Sequence, residues 1–311
     1  MLENVYFVIT KSRENDDSSL EFIGKIDSAV SYLSKCGVTT KRINDGNIDE
    51  LLKNCSKENS LFLADSYELI KALWDQGCYA IGVISSTNAA CNFPGVLYVF
   101  TDIDEVDMDS YVKAYQRLAG LPWSVLETKR CLIRETVVED VDSFYKIYAE
   151  PSIARFTEGL FENPEDERSY TRDYIEKVYG LMGFGVWTVI DKESGEIIGK
   201  AGFSIRNGFD NVELGFIIAV PFQGKGYATE VCKGIIEFGQ RELGFNRIIA
   251  FVKKDNLASV HILENKLNFA REDEVTLEED IYGGTYHSGR RVTFSPAHFG
   301  QYLEMVWTKP Q

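Results

Sequence analysis

Residues 213–230, ELGFIIAVPFQGKGYATE, constrain the fold more than any other stretch. An apolar strand breaks at Pro221 into a glycine-containing turn that opens straight into an amphipathic helix. A helix start has N–H groups without internal partners and a dipole that favours anions, so this junction reads as a phosphate cradle. Gln223, Gly224, Lys225, Gly226, Tyr227 and Ala228 would supply the N–H groups, with the helix beginning at Gly224. Small residues at 224, 226 and 228 let a diphosphate come close to the backbone. The dinucleotide fingerprint GxGxxG is absent, and no Lys followed by Ser or Thr closes the turn as a Walker loop requires.

The length of 311 residues favours two domains. No segment approaches the ~20 apolar residues of a membrane span, and the N-terminus reads as a first strand rather than a signal peptide. Six cysteines lack CxxC pairing, which suits reduced thiols in a cytoplasm. His261, His287 and His298 stand in no zinc-ligand pattern, so no metal is expected. A net charge of −15 speaks against nucleic-acid and anionic-membrane partners and would attract a cationic amine.

Residues 1–127 alternate apolar strands (VYFVIT, TTKRIN, SLFLAD, YAIGVIS, VLYVFTD) with helical segments. Runs of this kind predict a Rossmann-like three-layer domain with a parallel sheet covered on both faces. The part resembles, weakly, a haloacid-dehalogenase-like domain in Ser85 or Ser86 after one strand and Asp102, Asp104 and Asp107 after the next. The nucleophilic aspartate of such phosphatases is missing, since Thr10 and Lys11 follow the first strand. Asp107 suits a helix N-cap, and no activity is expected from this domain.

Residues 128–311 read as a strand, two helices, three antiparallel strands, a helix, a strand, a helix and two strands. That order, with Gln223, Gly226 and Ala228 in the spacing Q-x-x-G-x-A and with DNLASVHILENKLNF at 255–269, resembles the GNAT N-acetyltransferase superfamily over roughly residues 129–309. The opening LIRETVVEDVDSFYKIY and the ELGF strand are most similar to its ribosomal-protein N-acetyltransferase branch. The resemblance implies a mixed-sheet α+β domain, acetyl-CoA as cosubstrate and an amine acceptor, either a peptide N-terminus or a small cationic amine. It also implies that Ile218, Ala219 and Val220 hold the pantetheine arm and that Asn256 hydrogen-bonds it. Glu213 is implied as the base acting on the ammonium through water, and Ser259 as the acid for the departing thiolate. Asn268 stands where the family has glycine, and asparagine tolerates the left-handed helix end.

Residues 280–300 form a polar and aromatic insertion that could cover the acceptor pocket. The sequence leaves the acceptor and the oligomeric state open. A rival of another class is a catalytically silent coenzyme A-binding sensor or scaffold.

Overall fold

The computed structural model describes residues 1–10, 20–84, 91–157, 159–206, 208–277 and 300–309. Lys11, Ser85, Ser86 and nearly all of the 280–300 insertion lie outside the described residues. The chain divides into two compact units, residues 1–123 and 124–311.

In the first unit, β1 (Asn4–Ile9), β2 (Thr39–Asn44), β3 (Ser60–Ala64), β4 (Tyr79–Val83) and β5 (Val99–Phe100) form one sheet in the order β2-β1-β3-β4-β5. All four pairings are parallel. β3 is buried at every residue and β1 at all but its first, as a strand covered on both faces demands. One face packs on α1 (Leu20–Lys35) through Phe22, Ile26, Ala29 and Leu33, and on α4 (Met108–Leu118) through Tyr111, Ala114 and Tyr115. The other packs on α2 (Ile48–Asn54) and α3 (Tyr67–Asp75). The expected three layers are present. Asp107 caps α4 by accepting the Ser110 N–H at 2.8 Å, while Asp102 and Asp104 face Lys25 at 3.6 and 3.7 Å.

The second unit is built on an eight-stranded mixed sheet. Its strands are β6 (Ser124–Glu127), β7 (Cys131–Arg134), β8 (Val186–Asp191), β9 (Ile197–Ile205), β10 (Val212–Ile218), β11 (Arg247–Lys253), β12 (Ala270–Leu277) and β13 (Gly300–Thr308), in the order β12-β13-β11-β10-β9-β8-β7-β6. β6 lies before the start assigned to this domain from the sequence, because Ser124–Glu127 pairs antiparallel with β7. Among the described residues, only β10 and β11 pair in parallel in this sheet. Their crossover is α9 (Tyr227–Arg241), which buries Val231, Cys232, Ile235 and Ile236 in the main core at helical spacing. α5 (Val141–Tyr148) and α6 (Pro151–Ala154) lie on the opposite face, where Phe144, Ile147 and Ile153 meet Ile197, Ile217 and Ala219.

α7 (Pro164–Tyr174) starts as its sequence requires, with Pro164 in the first turn and Asn163 accepting the Glu165 N–H at 3.1 Å. A π-helical turn at Ile175–Tyr179 joins it to α8 (Gly180–Met182). α10 (Leu257–Leu267) ends at Asn268 with φ 60°, so the asparagine takes the left-handed conformation expected of it. A buried polar cluster ties α5 to the sheet: the Asp140 carboxylate accepts from Arg134 at 2.6 and 2.7 Å and from Thr188 Oγ1 at 2.7 Å.

Candidate active site at the opening of β10 and β11

β10 pairs with β9 along its whole length but with β11 only at Val212 and Glu213. Beyond that point the two parallel strands part. The Ala219 N–H donates to Ile198 O at 2.7 Å, so backbone groups of Gly215, Ile217 and Ala219 turn toward β9. Those of Phe216 and Ile218 consequently face the gap. Ile218, which the resemblance implies for the pantetheine arm, has its backbone groups on the gap side. Ala219 has its N–H engaged by β9, and Phe216, which the sequence reading passed over, takes the alternate open position.

β9 and β10 approach closely at Gly199. A Cβ built there would lie 2.0 Å from Ile217 O, so no side chain fits without moving the strand that carries the gap.

After β10 the chain makes a 3₁₀ turn at Val220–Phe222, closed by the Gln223 N–H on Val220 O at 3.1 Å. The Gln223 side chain folds back, donating from Nε2 to Ile218 O at 2.7 Å. Its role in the structure is to join turn to strand, with its backbone N–H already engaged. Gly224 and Gly226 have φ of 70° and 82°, so α9 begins at Tyr227 rather than at Gly224. The left-handed backbone at both glycines is what delays the start. The Glu230 N–H donates to Gly226 O at 3.1 Å, one helical turn on, and the first-turn N–H groups before it stand at an exposed helix start.

Arg130, absent from the sequence reading, anchors this turn. Its Nη1 donates to Lys225 O at 3.0 Å, and its Nε and backbone N–H donate to the Glu230 carboxylate, both at 2.7 Å. Thr128 Oγ1 donates to the same carboxylate at 2.7 Å. Burial alone would push the Glu230 carboxyl up; these hydrogen bonds and the guanidinium outweigh it and hold the group below the usual glutamate value. The Arg130 guanidinium lies 3.9 Å from the centroid of the Tyr227 ring. The Tyr227 hydroxyl donates to Asp191 Oδ1 at 2.9 Å, so this side chain points inward and only its backbone belongs to the turn. No local pattern flags Arg130, because its partner lies 100 residues away.

Glu213 is buried where β10 still pairs with β11. Its carboxylate accepts from Arg206 Nε at 2.8 Å and Nη2 at 3.3 Å, a fork that fixes its orientation. Asn256 Oδ1 accepts the Ser259 N–H at 3.2 Å and so caps α10, the helix that follows β11. Leu257 and Ala258 are exposed beside it, and Ser259 is half-buried. Lys253, at the end of β11, has its amine pushed below the usual lysine value by burial, which outweighs the nearby Asp255.

A model of the acetyltransferase (GNAT) domain matches residues 130–266. The uncharacterized N-acetyltransferase p20 of Bacillus licheniformis is 31% identical over 153 residues, covering 47% of this chain and 83% of the relative. The chain belongs to the GNAT acetyltransferase family. Its reaction class is therefore N-acetyl transfer. The spermidine N(1)-acetyltransferase of Escherichia coli K12 is 32% identical over 80 residues, covering 26% of this chain and 42% of the relative. The crystal structure of ribosomal-protein-S5-alanine acetyltransferase from Vibrio fischeri is 18% identical, with a TM-score of 0.46, covering 60% of this chain and 98% of that one. Against GNAT chemistry, the residues of the gap and turn fit coenzyme A. The two left-handed glycines open the turn, and beside it β10 runs on beyond its pairing with β11.

Among the described residues no group of His, Cys, Asp and Glu could hold a metal ion, and no helix is long and apolar enough to cross a membrane. The six cysteines are free thiols, and burial raises Cys131 to about 11.

Proposed function

We propose that this protein is an acetyl-CoA-dependent N-acetyltransferase that moves the acetyl group directly to a primary amine, a protein N-terminus or a small cationic amine. The observation that carries the reading is the parting of β10 from β11 directly before a glycine turn and the start of α9. Coenzyme A presents the acetyl group as a thioester. The N–H groups of Gly224, Lys225, Gly226, Tyr227 and Ala228 would take its diphosphate. Gln223 holds the turn to β10, and the edge from Phe216 through Ile218 and Ala219 to Val220 would take the pantetheine arm. Asn256 sets the start of α10, across the gap. A strand N–H at the open edge would stabilise charge on the thioester oxygen without any side chain.

Glu213 is the group we assign to taking the ammonium proton through a water. Arg206 donates to both carboxylate oxygens and so fixes the direction in which the group faces. Ser259, one turn into α10, is assigned to giving the departing sulfur its proton. Residues 1–127 take no part in this chemistry, and the acidic balance of the chain favours a cationic acceptor over an anionic one. The protein works in the cytoplasm on this reading.

The test is a turnover assay with acetyl-CoA against spermidine, other small amines and peptides with free N-termini. Glu213→Gln should lower turnover by roughly 10²- to 10⁴-fold with little change in coenzyme A affinity. A change below about threefold would remove Glu213 from the proton-transfer role. Tight coenzyme A binding with no turnover on any amine would favour a cofactor-binding sensor instead.

A further inference from the structure

Lys225 lies between two left-handed glycines, and the Lys225–Gly226 peptide runs straight into the second of them, Gly226. Glycine places little restriction on rotation there, so the peptide needs an outside tether if its N–H is to face one way. Arg130 Nη1 supplies it by donating to Lys225 O at 3.0 Å. In a trans peptide the carbonyl and the N–H point to opposite sides. Holding the carbonyl toward Arg130 therefore turns the Gly226 N–H outward, away from the guanidinium.

A second effect is electrostatic. Glu230 lies in the first turn of α9, so it places a negative charge near a helix start that must receive an anion. Arg130 pairs with that carboxylate through Nε and its backbone N–H. The guanidinium is itself fixed by the Tyr227 ring beneath it, which Asp191 holds in turn.

We infer that Arg130 is a positioning residue for the diphosphate site: from behind the turn it presets the Gly226 N–H and cancels the charge of Glu230. This rests on the reading of the turn as the coenzyme A site.

The experiment uses the full chain in three parts. Calorimetry with coenzyme A compares wild type, Arg130→Gln, Arg130→Lys and the double variant Arg130→Gln/Glu230→Gln. Kinetics compare KM for acetyl-CoA with KM for S-acetylpantetheine, which has no phosphate. Circular dichroism checks that each variant is folded. Arg130→Gln should weaken coenzyme A binding about 10- to 100-fold, the usual loss for a hydrogen-bonded charge. It should also raise the ratio of the two KM values by about tenfold or more.

Removing the exposed carboxylate in the double variant should recover part of the lost affinity. Should Arg130→Gln fail to fold, Arg130→Lys carries the test, since it keeps the charge and loses the fork; its affinity should fall severalfold. Equal affinity in wild type and variant, an equal rise in both KM values, or a double variant no better than the single one would each overturn the inference. Absence of coenzyme A binding in wild type would instead overturn the cofactor reading beneath it.

Discussion

Replacing Gly199 by alanine tests how rigidly the sheet holds the acetyl-transfer gap. The new Cβ would start 2.0 Å from Ile217 O, against a carbon–oxygen approach of about 3.3 Å in ordinary strand contacts. β10 must therefore move by about 1 Å or β9 must buckle. Overpacking of this kind costs about 1–3 kcal/mol. For a unit of this size that lowers Tm by about 2–12 °C. The effect on binding should exceed the effect on stability, because the displaced strand carries the backbone groups of Phe216 and Ile218, and a 1 Å misplacement near reacting groups costs about 10²-fold in rate. Thermal melts, coenzyme A calorimetry and kcat/KM on one preparation read all three. Gly24→Ala in α1 is the control: nothing lies within 4 Å of its Cβ, and alanine should raise helix stability by about 0.5–1 kcal/mol. A Gly199→Ala protein with unchanged Tm and unchanged coenzyme A affinity would refute the claim that close β9–β10 contact sets the gap.

Gly226→Asp should reduce coenzyme A affinity at least tenfold in calorimetry while costing only about 1–2 kcal/mol of stability, since aspartate tolerates a left-handed backbone but puts a carboxylate in the anion site. Glu230 is held below its ordinary pKa near 4.3, so its contribution to stability is complete above that value and is lost as pH falls through the lower, folded-state value. Melts from pH 5.5 to pH 3 should show wild type losing more Tm than Glu230→Gln; parallel curves would contradict the assignment. A chain beginning at Ser124 should keep coenzyme A affinity, whereas one beginning at Thr128 lacks β6 and should melt lower, because it loses the β6–β7 pairing and the packing of Leu126 against α9 at Gly234. Equal melting temperatures for the two would show β6 to be dispensable.

The sequence carried the element order, both helix ends at Asp107 and Asn268, and the strand–turn–helix junction, because each rests on local periodicity or on the backbone preferences of one residue type. β6 was hidden because SVLE is short, and nothing in four residues says which sheet it joins. The true start of α9 depends on two positive φ values, which the glycines permit but do not dictate. Arg130 and Arg206 were missed for another reason. A surface-type arginine looks like any solvated charge until the fold sets it beside Glu230 or, across the β9–β10 hairpin, beside Glu213.

The short parallel contact between β10 and β11 also makes a kinetic signature. Amides of Gly215, Ile217 and Ala219 are locked into the β9 ladder, while those of Phe216 and Ile218 face the gap. Deuterium should therefore enter this one strand at alternate residues, fast at 216 and 218 and slow at 215, 217 and 219. A ligand that bridges the gap should erase the alternation, so the strand itself reports occupancy.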